Sequence, residues 1–184
     1  MRKALMQSWS VLDSLYYHMS TLEYVDKPAQ NIFRVKPLTY RGRALFLSDG
    51  NTFCKHDQVM KIHLHNCVLL KELMAIDNDI KRALYVYNRV EQSLPGLAQY
   101  VARHPLEAEI KGIIGITLLN RGVKKLGFEV HEIPNPWYLR LKQLYLKPMF
   151  ILCHPHPKDA FRGKDLAPKY LIMSKERLLK LYLR

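Results

Sequence analysis

The residues best equipped for chemistry are two imidazoles, His63 and His65, set two apart in the run Asp57-Gln58-Val59-Met60-Lys61-Ile62-His63-Leu64-His65-Asn66. The run alternates polar and apolar types, which is the period of a half-buried strand. On such a strand His63 and His65 share a face with Lys61 and Asp57, while Met60, Ile62 and Leu64 turn to the core. Paired imidazoles suit a metal such as zinc, which takes His nitrogens at about 2.0–2.1 Å. A catalytic zinc needs a third protein ligand and an open position; Asp57, His56, Cys54, His154 and His156 supply suitable types. The plainer alternative is a pair of structural histidines bonded to backbone and carboxylates.

Three further groups could carry chemistry. Cys153-His154-Pro155-His156-Pro157 holds good ligand types on a proline-punctuated loop. Glu109 and Lys111 share one face of an expected strand, where a covering helix would bury the pair and shift both pKa values, and solvent would leave it worth little. Asn120-Arg121-Gly122 stands at an expected helix N-terminus, a place that favours anions. The strand end His63, His65 and Asn66, with Asp49 and Asp57 nearby and Arg34, Asn120 and Arg121 available for an anion, makes the candidate ligand site. The metal reading rests on His63 and His65.

These groups need elements to position them. Leu5, Trp9, Leu12, Tyr16 and Met19 recur at helical steps and predict a first helix over residues 3–19. Residues 32–48 read as a hairpin, with Ile32–Lys36 and Ala44–Leu47 as its arms and Tyr40–Arg43 as the turn. Ser48-Asp49-Gly50-Asn51 is a second turn. With Thr52–Cys54 and the histidine strand, residues 32–65 form an antiparallel meander. Asn66 caps a helix to about residue 75. Asp77-Asn78-Asp79 starts another, which Pro95-Gly96 kinks or divides. Residues 107–118 read as a central strand with Ile110, Gly112, Ile114 and Ile116 on one face. A short helix stopped by Gly127 leads to a strand at 128–133, a β-α-β order that implies a parallel pair. A basic helix over 137–146, a loop over 151–168, a strand at 170–173 and a terminal helix follow. The fold class is α+β: one mixed sheet, antiparallel meander plus β-α-β unit, packed with helices in a single domain over residues 1–184.

Bulk properties bound the function. The 184 residues carry 29 Lys and Arg against 16 Asp and Glu, a formal charge of +13. Eleven of those bases and three of the acids fall between Pro136 and Arg184. That imbalance favours an anionic partner: nucleic acid, an acidic lipid surface or a phosphorylated small molecule. No zinc-finger spacing, GxxG loop or RNP1-like strand supports nucleic acid. Three cysteines without CxxC spacing argue against a disulfide framework. The N-terminus lacks an uninterrupted apolar region and a cleavage site, and no window reaches transmembrane length, so the expected location is the cytoplasm.

Leu47-Ser48-Asp49-Gly50, Lys61–Asn66, Ser93-Leu94-Pro95-Gly96-Leu97 and Lys111–Gly122 together resemble the YkoP-like family of Bacillus-type bacteria. The likeness runs through nearly the whole chain, to the closing Lys-Tyr-Leu-Ile-Met-Ser-Lys. Related domains are fused to polysaccharide deacetylases, so the resemblance implies an envelope or spore-glycan context and an accessory role, with no catalytic residues to carry over. The expected function is binding of an anionic or sugar-containing ligand, or of an envelope enzyme. A metal-dependent hydrolase using His63 and His65, and a basic nucleic-acid or anionic-membrane binder, are the alternatives.

Overall fold

A computed structural model of the chain describes residues 21–118, 122–153 and 167–183. The expected first helix lies outside the described residues, as do Asn120, Arg121, His154 and His156. The strands are β1 (Glu23–Tyr24), β2 (Phe33–Thr39), β3 (Leu45–Phe46), β4 (Thr52–Phe53), β5 (Gln58–Leu64), β6 (Ile110–Thr117), β7 (Glu129–Glu132) and β8 (Lys169–Ser174). The helices are α1 (Asn66–Leu73), α2 (Asp79–Ala102), α3 (Pro136–Cys153) and α4 (Lys175–Tyr182). A short 3₁₀ helix, Val123–Leu126, ends at Gly127, whose φ of +87° suits glycine. Six strands form one mixed sheet in the order β1-β2-β5-β6-β8-β7, with β3 and β4 as a separate hairpin. This is the α+β class that the sequence implies.

Strand pairing differs from expectation in three places. β2 lies antiparallel to β5 itself, with Phe33 opposite Leu64 and Val35 opposite Ile62. Direct pairing puts the apolar sets of both strands on one face, which residues 44–47 are too few to do. Leu45 and Phe46 pair instead with Phe53 and Thr52, through the Asp49-Gly50 turn. Second, β6 and β7 run in the same direction but are not neighbours, because β8 lies antiparallel between them. The adjacent parallel pair is β5 with β6, joined through α1 and α2. Third, the register slips between Gln58 and Met60. The extra residue in β6 lets Ile110 and Ile113 both enter the same core, which strict alternation forbids.

The helices show two more differences. Asn66 is the first residue of α1, and the carbonyl of His65 accepts the first helical bond, from Leu69 N at 3.2 Å. Pro95 does not divide α2. Leu94, Leu97, Ala98 and Val101 around it are all fully buried, and that packing holds the helix through the lost hydrogen bond. At its start Asn78 caps α2 by accepting from the amides of Ile80 and Lys81.

One face of the sheet carries the main core. Phe33, Val35, Met60, Ile62, Ile110, Ile113 and Met173 meet Leu94, Leu97, Ala98 and Val101 of α2 and Leu178 of α4. The opposite face is apolar at one end only, where Val59, Ile114 and Ile172 pack with Tyr40, Leu47 and Phe53 around the β3–β4 hairpin. Gly112 is needed there: a Cβ would fall 2.3 Å from the Met173 carbonyl oxygen and 2.5 Å from the Phe53 ring.

Candidate functional site

The other end of that second face is basic. The alternation of β5 sends Met60 and Ile62 into the main core and turns Val59, Lys61 and His63 the other way. On β2 the same period turns Arg34, Lys36 and Leu38 to that side. The antiparallel register then sets Lys36 opposite Lys61 and Arg34 opposite His63. Four basic side chains thus occupy a two-by-two block on neighbouring strands. A fifth, Lys142, comes from α3 and lies close enough for its charge to act on both Lys61 and His63.

Electrostatics record the crowding. Burial lowers the Lys61 amine to about 8, with the charges of Lys142 and Lys36 adding to the effect. Burial also lowers the Lys142 amine. His63 falls to about 3, first through burial and then through Lys61, Lys142, Lys36 and Arg34. At neutral pH it is therefore an uncharged imidazole, and its Nε2 is closed off from solvent. Arg34 is only 4 % exposed. Its guanidinium lies 5.0 Å from the centre of the Tyr24 ring, and Nη2 donates to the Tyr24 hydroxyl at 3.0 Å. The Tyr24 ring meets His65 edge-on at 5.5 Å, so the two histidines do share a side of the sheet.

Asp57 and Asp49 do not join this group. Asp57 closes the turn before β5, accepting from the Cys54 amide at 2.6 Å. Asp49 sits at the tip of the β3–β4 hairpin and accepts from the Ser174 hydroxyl at the start of α4. Burial alone would raise its carboxyl; the bonds from Ser174 and Asn51 and the charge of Arg177 win and hold it low. Beside it, Arg177 donates to Ser48 at 3.1 Å and pairs with Glu129 at 3.4 Å. This network ties the hairpin to α4 and β7. Lys111 and Glu109 are both exposed and form no buried pair.

Sequence reasoning named Arg34 and His63 but passed over Lys36, Lys61 as a ligand-binding group, and Lys142. The signal for Lys36 was present: β2 carries bases at 34 and 36 with the same period as 61 and 63 on β5. Lys142 had no local signal, because only the docking of α3 brings it to the sheet.

Among the described residues, no three His, Cys, Asp or Glu side chains are grouped to hold a metal ion. Lys61, Lys142, Lys36 and Arg34 act together on His63, and positive charge repels a dication while attracting an anion. Lysine and arginine fit phosphate and carboxylate, the planar guanidinium as a fork and the ammonium as a point charge. The fold and site therefore define an α+β protein with a basic cluster on one face of its sheet. The chain belongs to the YkoP domain family, whose model matches residues 2–182. It is similar to the "Uncharacterized protein YkoP" of Bacillus subtilis (strain 168), with 37 % identity over 182 residues, covering 99 % of this chain and 98 % of the relative. No solved structure gives a significant match.

Proposed function

We propose that this YkoP-family chain is a cytoplasmic accessory module whose basic cluster binds an anionic ligand, with phosphorylated or carboxylated sugars of envelope or spore-glycan metabolism as the ligand class. The observation that carries this reading is the cross-strand pair Lys36–Lys61 with Lys142 above it. Two ammonium groups directly opposite on a ladder both attract an anion that reaches them. The sugar context comes from the family resemblance alone; the cluster itself supports only the anion.

Thermal unfolding in the presence of inorganic phosphate, N-acetylglucosamine 6-phosphate and N-acetylglucosamine tests it. The melting temperature is expected to rise with the two phosphates and not with the neutral sugar, and Lys61→Met is expected to remove the rise. No rise with either phosphate, or an equal rise in the variant, overturns the reading.

A further inference from the structure

The outer side of α3 makes a second surface. Trp137, Leu141 and Leu144 are 77 %, 61 % and 74 % exposed. At 3.6 residues per turn the three fall within about 60° of arc on one side of the helix. Lys142 lies about 140° around from Trp137 on the same count, consistent with its reach to the sheet. Arg140 and Lys147 flank the apolar stripe on one edge, and the Arg140 guanidinium lies 5.7 Å from the centre of the Trp137 ring. From Pro136 to Cys153 the helix has three bases and no acid. No helix among the described residues is long and apolar enough to cross a membrane.

We infer that α3 is an interfacial helix that docks this protein onto an anionic phospholipid surface, Trp137, Leu141 and Leu144 entering the headgroup–acyl boundary and Arg140 and Lys147 meeting the headgroups. An exposed tryptophan and two leucines along one stripe, edged by bases, is the composition of helices that lie in the membrane plane. Anionic lipid attracts juxtaposed Lys and Arg, and a chain of charge +13 adds long-range attraction. A second copy of the chain fits this face poorly, because it brings the same positive charge. Nucleic acid would leave the three apolar side chains exposed to water. The inference goes beyond the anion site and does not depend on it, since Lys142 reaches the sheet and the stripe faces away.

The chain has two tryptophans, Trp9 and Trp137, so Trp9→Phe makes Trp137 the reporter. Its emission and the flotation of the protein are measured with vesicles of equimolar phosphatidylglycerol and phosphatidylcholine, and with phosphatidylcholine alone. Expected are a blue shift and flotation with the anionic vesicles, weakened by salt, and neither with phosphatidylcholine. Leu141→Ser with Leu144→Ser is expected to weaken binding by about a hundredfold or more, the order for withdrawing two leucines from an apolar phase. Because both leucines are exposed, the fold should survive, as far-UV circular dichroism checks. Lys61→Met should float like the wild type, which separates this result from the anion site. Absence of flotation at low salt overturns the inference. So does unchanged flotation of the double variant, or a dimer in the absence of lipid that the double variant abolishes.

Discussion

Lys61 on β5 stands directly across the antiparallel ladder from Lys36 on β2, and burial with the nearby charges of Lys36 and Lys142 lowers its amine to about 8. The unfolded chain holds that proton up to an ordinary lysine pKa near 10.4. Protonation is therefore the unfolded state's advantage. The penalty is full below about pH 8, shrinks as pH rises, and is gone above the unfolded value. Lys61→Met is expected to be more stable than the wild type at pH 7, by about 0.2–1 kcal/mol for the like-charge pair alone. The advantage should fade between pH 8 and 10.5. Urea unfolding of both proteins at several pH values checks it; a variant less stable at pH 7 would mean that the Lys61 stem packs more than its charge repels.

His63 makes the acid counterpart of that prediction. Burial and the surrounding Lys61, Lys142, Lys36 and Arg34 hold its folded pKa near 3, while the unfolded imidazole titrates near 6.5. Above 6.5 the group is neutral in both states and contributes no slope. As pH falls from 6.5 toward 3 the unfolded state takes up a proton that the folded state refuses, and stability drops. His63→Gln is expected to flatten this limb between pH 6.5 and 4 and leave the slope above pH 7 unchanged. An acid limb of equal steepness in the variant would assign the loss to other groups.

The face assignment around these residues was legible because β5 obeys a strict period of two: Lys61 and His63 on one side, Met60 and Ile62 on the other. β6 was misread because its bulge breaks that count, and the alternation of Ile110 to Ile116 carries no mark of an extra residue. Pro95 misled for a different reason. Its local cost is real, but four buried neighbours in α2 hold the helix together, and tertiary packing of that kind is invisible to a turn rule. Asp49 looked close to the histidines because a single meander over residues 32–65 would hold its turn near them. The β3–β4 hairpin instead carries it to the N-terminus of α4, a partner more than a hundred residues away. The basic cluster itself was half legible, since strand register supplied one half and helix docking the other.

Arg82 predicts a stability effect remote from either surface. It is 8 % exposed and donates from Nη1 to the carbonyls of Leu73 and Ile76, the latter at 2.7 Å. Those carbonyls end α1 and the turn leading to α2, so one guanidinium closes off both. Arg82→Met keeps the apolar stem and removes the donors. The expected loss is about 1.5–3 kcal/mol, the range for hydrogen bonds made by a charged group, read as a lower urea midpoint with an unchanged slope. A loss within a few tenths would show that water replaces the guanidinium.

Ser174 and Asp49 allow a cap and a tether to be separated. The Ser174 oxygen accepts from the Arg177 amide at 3.0 Å, capping α4, while its hydroxyl donates to the Asp49 carboxylate. Ser174 is fully buried, so neither role can pass easily to water. Ser174→Ala removes both and is expected to cost about 1–2 kcal/mol, the upper range for a lost N-cap. Asp49→Asn keeps an acceptor for the hydroxyl and loses only the charge that faces Arg177, so its cost at pH 7 should be smaller. The two variants also differ in pH response. Asp49 has a folded pKa below its usual value, so its stabilisation is present above the unfolded pKa and is lost as pH falls through the folded one. Asp49→Asn should therefore lie below the wild type at pH 7 and approach it at pH 3. Ser174→Ala should stay below the wild type at both, because the cap it lacks does not titrate. Convergence of Ser174→Ala with the wild type in acid would show that the tether to the β3–β4 hairpin, and not the helix cap, carries the stabilisation.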